Sequence, residues 1–290
     1  MSDTIALVTA PRIAERWPDE ETPELIEALC QQNLQVETVA WYEDADWPSY
    51  SLVILRSPWD WYWHLEDFSA WLSAIKSQTT ILNPTDVVLW NMDKHYLRQL
   101  GSSRVTITPT RYVEIGEKPS FPDSEFVVKP VISGGSMNTA RYTVMDIDAA
   151  TAHVELLHGK GFAVMVQPYL PNVDADGEKA LVFFNNSFDH AIRKQAVLKP
   201  GDPPDAKRDA HPSPQPYTPT PDELALAMAA LDAVPSGKDL LYARVDIATG
   251  FDGKPVLMEL ELTDPVLFLG YSAGATERYS NAIANRLDQS

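Results

Sequence analysis

Two strands closing onto a turn at Leu240–Pro265, LLYARVDIATGFDGKPVLMELELTDP, constrain this chain more than any other segment. Asp252-Gly253 is a two-residue hairpin signal, because a type I′ turn needs positive φ at both central positions. With that turn setting the register, Asp246 lies opposite Glu259 and Arg244 opposite Glu261. Alternation then places these four side chains on one face and Val245, Ile247, Met258, Leu260 and Leu262 on the other. Carboxylates facing one another across a strand pair repel. Such a face is kept most readily when a cation sits among them, and hard oxygen ligands on a rigid sheet suit Mg²⁺. The competing reading is a solvated hairpin face. Against it, Arg244 is the only cationic residue on that face, and the opposite face is apolar away from the turn.

With 290 residues, the chain has room for one large domain or two to three smaller ones. A net charge of −18 and a pI near 4.6 argue against nucleic acid or an anionic membrane as partner. A small anionic ligand remains compatible, since a few lysines and arginines can converge locally. The single cysteine, Cys30, rules out an internal disulfide framework and reads as a small core residue of a helix over Pro23–Gln32. Met1–Ala10 runs straight into an apolar strand pattern rather than a secretory signal, and no run of about 18 apolar residues spans a bilayer. The expected setting is a reducing cytoplasm.

The first third alternates strands (Ile5–Val8, Val36–Trp41, Leu52–Leu55, Thr80–Leu82) with helices at Pro23–Gln32, Glu66–Lys76 and Thr85–Leu100. That βαβ rhythm implies a parallel sheet covered on both sides. The middle is richer in strands: Val105–Thr108, Phe126–Lys129, Ala140–Val144 and Ala163–Gln167, with a helix near Ala149–His158. Longer strands follow, Lys179–Phe184 and Phe188–Val197 flanking an Asn185-Asn186 turn, then the hairpin, then a helix at Ala275–Leu287. Prolines at 200, 203, 204, 212, 214, 216, 219 and 221 make 198–221 a loop or lid rather than regular structure.

Several residues could carry chemistry. Lys129 ends the apolar strand VVKP, where a lysine is costly to bury without an anion. The Ser133-Gly134-Gly135-Ser136 loop that follows offers backbone N–H groups that can close over phosphate oxygens. Lys94 sits on the helix WNMDKHYL. Arg193 and Lys194 point to opposite faces of one strand, so at most one shares the acidic face. Arg56, Ser57 and Asp60 follow a buried strand and fall where ligands bind in open α/β sheets. The tryptophans of RSPWDWYWH read mostly as aromatic packing. Asn172, Asp174 and Asp176 imitate a calcium loop but lack its final Glu, since Phe183 stands there. No metal-type histidine spacing, no Ser/His/Asp order and no GxxxxGK[ST] loop is present. Together, a strand lysine, a glycine loop, an acidic triad and an arginine form an inventory for a nucleoside triphosphate with Mg²⁺.

With these motifs the chain resembles the ATP-grasp enzymes over nearly its whole length. The resemblance is carried by DKHYL (93–97), VVKP (127–130), SGGS (133–136), VQPYL (166–170), DGEKALVFF (176–184), HAIRK (190–194), ARVD (243–246) and MELELTDP (258–265). RSPWDW, NPTDVVLWNMDKHYL and MELELTDPVLFL are most similar to cyclo-ligases acting on O-ureido-D-serine in D-cycloserine biosynthesis. The resemblance implies an α/β fold in three parts: an N-terminal parallel-sheet domain (1–100), a small central lid (101–170) and a mostly antiparallel C-terminal sheet (171–290). It also implies that Lys94 and Lys129 contact the phosphates or adenine, under the Ser133–Ser136 loop. Gln167, Tyr169 and Leu170 would form the adenine hinge, with Glu178 on the ribose. Asp246, Glu259 and Glu261 would hold one or two Mg²⁺ ions (or Mn²⁺), although many superfamily members carry Asn where this chain has Glu261. Arg244 and Arg193 would stabilise the transferring phosphoryl group and the acyl phosphate.

The implied activity is an ADP-forming ligase joining an amino-acid-like carboxylate to a nitrogen nucleophile, between molecules or within one, by a monomer or homodimer. The alternatives are a phosphotransferase acting on a hydroxyl and a non-catalytic nucleotide-binding protein.

Overall fold

The computed structural model describes residues 3–205, 211–235 and 239–287. Near the N-terminus β1 (Thr4–Thr9), β2 (Gln35–Ala40), β3 (Leu52–Ser57) and β4 (Ile81–Leu82) form a parallel sheet in the order β2-β1-β3-β4. Leu25 and Leu29 of α1 (Thr22–Gln31) pack with Ile5 and Leu7, whereas Phe68 and Leu72 of α2 (Leu65–Ile75) pack with Ala6 and Val8. Alternation along β1 therefore puts the two helices on opposite faces, which is why β3 is buried throughout.

The central sheet runs β5-β8-β6-β7, built from β5 (Arg111–Val113), β6 (Phe126–Pro130), β7 (Ala140–Tyr142) and β8 (Val164–Pro168), all antiparallel. Val154 and Leu157 of α5 (Ile147–Gly159) pack on one face of it. The C-terminal sheet runs β11-β10-β9-β12-β13, also antiparallel, from β9 (Glu178–Phe184), β10 (Ser187–Lys194), β11 (Gln215–Tyr217), β12 (Tyr242–Thr249) and β13 (Pro255–Glu261). Tyr279 and Ile283 of α7 (Ala275–Leu287) join Phe184 and Tyr242 of this sheet to Ile5 and Leu7 of the first. The two sheets thus share one apolar core. Among the described residues no helix is long and apolar enough to cross a membrane.

Several sequence expectations are corrected. The hairpin register is as expected, with Arg244 opposite Glu261 and Asp246 opposite Glu259, but the turn is not the two-residue type. Gly250 N–H donates to Lys254 O and Gly253, at φ +79°, donates to Gly250 O, so three residues make the connection. The extra residue is absorbed by a bulge between Asp246 and Ile247, which pairs Ile247 with Leu257 and displaces Met258. Met258 consequently packs beside Val127, Tyr169 and Leu170 rather than on the apolar face with Leu260.

The expected helix Thr85–Leu100 is two helices, α3 (Thr85–Asn91) and α4 (Tyr96–Ser102). Asp93 Oδ1 accepts the His95 N–H at 2.9 Å and Lys94 N–H donates to Val131 O, so Lys94 stands in the break. Val105–Thr108 is not a strand but touches β13 through an isolated bridge at Ile107 and Leu257. Cys30 is exposed, because the buried stripe of α1 runs through Thr22, Leu25 and Leu29. The Pro-rich segment carries one edge strand, β11, with Pro216 opposite Ile192. It then starts α6 (Pro221–Asp232) through a capping box between Thr220 and Glu223. Residues 206–210 of that segment lie outside the described residues.

Candidate active site

Two cavities adjoin where the central sheet faces the β12–β13 hairpin. The smaller, about 120 Å³, is lined by Lys129, Gln167, Tyr169, Leu170, Glu178, Lys194, Asp246 and Met258. The larger, about 430 Å³, is lined by Arg16, Trp59, Trp61, Tyr62, Asn91, Asp264 and Val266. Both share Lys94, the Ser133–Ser136 loop, Arg244, Glu259 and Glu261.

The acidic strand is held from behind. Asn91 of α3 donates to Leu260 O at 2.7 Å and accepts from Leu262 N–H at 2.8 Å, while Tyr96 Oη on α4 bonds both polar backbone atoms of Leu260. These four bonds fix the edge of β13 at the positions flanking Glu259 and Glu261.

In front, cations and carboxylates interleave. Arg244 donates to both oxygens of Asp246, at 2.9 and 3.0 Å, and also to Glu261. Lys194 lies 2.7 Å from Asp246 and 3.4 Å from Glu178. Lys94 donates to Ser133 O at 2.6 Å and lies 3.2 Å from Glu259. Lys129 differs from these three: among the described residues no hydrogen bond or ion pair reaches its ammonium, and burial lowers its pKa. Burial opposes ionisation of Asp246, yet Arg244 and Lys194 hold its carboxyl well below the usual range. Glu259 is lowered too, its burial outweighed by Lys94 and Lys129. Glu261 goes the other way, to about 7, because burial and the neighbouring Asp246 and Glu259 outweigh Arg244.

This chemistry fits a polyphosphate and a hard cation. An unpartnered lysine beside three paired cations suits anionic oxygens. Glu259 and Glu261 each keep 28% of their side chains exposed towards the cavities, leaving carboxylate lone pairs for an ion. Both oxygens of Asp246 already carry protein hydrogen bonds. Among the described residues no three His, Cys, Asp or Glu side chains close on one ion position, so the carboxyls share a face without forming a finished cage.

Of the other expected residues, Gln167 donates to Thr110 Oγ1 at 2.8 Å and Tyr169 N–H to Glu125 O at 2.7 Å, at the end of β8. Gly134 lies under Tyr62, where a Cβ would come within 3.3 Å of the ring, and Gly135 has φ +58°. Arg193 is not brought to the cluster: it is half exposed and 4.0 Å from Asp176. Lys194, its neighbour, stands there instead.

Arg56, Ser57 and Asp60 line neither cavity. Arg56 is fully buried against Glu21, and Asp60 is held by Trp41 and Arg12. The adjacent Trp59 and Trp61 form the wall, their indoles donating to Asp264 O and Oδ2 at 2.9 and 3.0 Å. The sequence reading chose Arg193 over Lys194 and missed Arg16, Asp264 and this aromatic wall. The period-two tryptophans were its one signal for the wall.

A family described as the N-terminal domain of D-cycloserine synthetase DcsG matches residues 5–83. Cycloserine biosynthesis protein DcsG of Streptomyces lavendulae is 33% identical over 288 residues, covering 93% of this chain and 94% of that protein. The crystal structure of D-cycloserine synthetase DcsG superposes with a TM-score of 0.86 at 32% identity, over 98% of this chain and 99% of that one. The ATP-grasp ligase PsnB, in complex with minimal precursor, Mg and ADP, gives 0.63 at 15% identity over 98% of each chain, a likeness of fold.

Proposed function

The chain belongs to the D-cycloserine synthetase DcsG family of ATP-grasp ligases, and on that premise we propose an ADP-forming, Mg²⁺-dependent ligase that makes a C–N bond through an acyl phosphate. The observation that carries this reading is the unpaired Lys129 ammonium facing the Glu259–Glu261 edge, with Lys94, Lys194 and Arg244 around it.

ATP would place its adenine along Gln167–Leu170 and beside Met258, its ribose at Glu178, and its phosphates between Lys94, Lys129 and the Ser133–Ser136 loop. Glu259 and Glu261, joined by Asp246, would hold Mg²⁺, which neutralises phosphate charge and fixes the in-line geometry. The substrate carboxylate, seated in the larger cavity, attacks the γ-phosphorus; the bond to the β,γ-bridging oxygen breaks and ADP leaves. A nitrogen of the same or a second molecule then attacks the acyl carbon, and inorganic phosphate departs with the C–O bond pair. Arg244, held in place by Asp246, faces the negative charge that builds up in both steps. Lys194 would take the supporting place expected of Arg193.

The test is an ADP-release screen of amino acids, with O-ureido-D-serine among them, run with and without hydroxylamine. Substrate-dependent ADP with a trapped hydroxamate supports the ligase. ADP with a stable phosphorylated hydroxyl product and no hydroxamate supports a kinase instead.

A further inference from the structure

Asp264 is a third acidic residue of the larger cavity, beside Glu259 and Glu261, and among the described residues no hydrogen bond or ion pair joins it to Arg244. It follows β13 and is fixed by two indoles, Trp61 Nε1–H on Oδ2 at 3.0 Å and Trp59 Nε1–H on its backbone oxygen at 2.9 Å. Among the described residues no donor reaches Oδ1 and no cationic side chain pairs with this carboxyl. Burial, reinforced by the charge on Glu261, pushes its pKa up to about 8. A carboxylate so placed is costly until a cation meets it. The walls beside it are the rings of Trp59, Trp61 and Tyr62, surfaces that favour an ammonium. The same cavity is also lined by Arg16, Lys94, Arg244, Glu259 and Glu261.

The geometry points to Asp264 as the residue that binds a protonated amine of the substrate: the carboxylate to be activated lies towards Arg244, and the ammonium sits on Asp264 Oδ1 within the aromatic wall. The inference rests on the ligase reading of this site and deepens it. It makes Asp264 a specificity residue for free amino acids over N-acylated or amine-free carboxylates.

The experiment is calorimetric binding of O-ureido-D-serine and of 3-(ureidooxy)propanoate, which lacks only the amino group, with a non-hydrolysable ATP analogue present. Wild type should bind the amine-bearing compound roughly 10- to 100-fold tighter, the span of a charge-assisted hydrogen bond. Asp264→Asn keeps an acceptor for Trp61 and should erase most of that preference, weakening the amine-bearing compound alone and leaving the ATP analogue's affinity within about twofold. A preference intact in Asp264→Asn overturns the inference, as does a wild type that binds both compounds equally or neither. ADP release is measured alongside: release by wild type with discrimination untouched by Asp264→Asn defeats the Asp264 assignment and leaves the ligase reading standing.

Discussion

Lys194 Nζ lies 2.7 Å from Asp246 Oδ2, and both groups are buried. The same carboxyl receives two hydrogen bonds from Arg244, so Asp246 sets the positions of two cations at once. This pairing distinguishes the β10–β9–β12 side of the site from the Glu259–Glu261 edge.

Removing Lys194 should therefore be costly in a way that removing Arg193 is not. Lys194→Met leaves Asp246 short of a buried partner and should destabilise the fold by about 3–5 kcal/mol. ADP release should fall by a factor of roughly 100 or more. Arg193→Met, at an exposed position, should change stability by less than about 0.5 kcal/mol. Urea unfolding and ADP release on the two variants check this; equal effects would refute it.

The β13 clip makes a second prediction. Asn91→Ala leaves the buried Leu262 N–H without its acceptor and Leu260 O with Tyr96 Oη as its remaining donor, and should cost about 1–3 kcal/mol. Because the clip holds Glu259 and Glu261, turnover should drop in buffer where the variant is still folded. A stable variant with normal turnover would show that the clip is dispensable.

Stability should depend on pH through His153. This ring is 3% exposed, and burial, outweighing the Asn138 backbone beside it, lowers its pKa to about 4. The folded state thus keeps it neutral while the unfolded chain takes up a proton below about 6.5. Its contribution is complete above that value, declines as pH falls towards 4, and amounts to up to about 3 kcal/mol. Melting temperatures between pH 7 and 4 should fall less steeply for His153→Phe; parallel slopes would remove His153 as the cause.

Much of the fold could be read from alternation and βαβ order because these patterns depend only on which residues must be buried. The hairpin register was correct although its turn was misread, since a three-residue connection and the Met258 bulge shift the pairing in opposite senses. The acidic residues were visible because like charges across one strand pair need an explanation. Lys194 was harder to assign. Asn185 and Asn186, both at positive φ, form the tight turn, and regular counting from it pairs Glu178 with Arg193. A bulge between Phe188 and His190 advances the register by one and gives that place to Lys194. No residue type in that stretch announces the bulge. Asp264 and the Trp59–Trp61 wall come from segments about two hundred residues apart, and only tertiary structure brings them together.

The central claim is tested most directly by separating the nucleotide products of turnover while Mg²⁺ is titrated, for wild type and Glu259→Gln. The account predicts ADP and phosphate in equal amounts to product, a requirement for the divalent ion, and no turnover in a Glu259→Gln protein that melts like wild type. AMP as the nucleotide product, or full activity in Glu259→Gln, would contradict it.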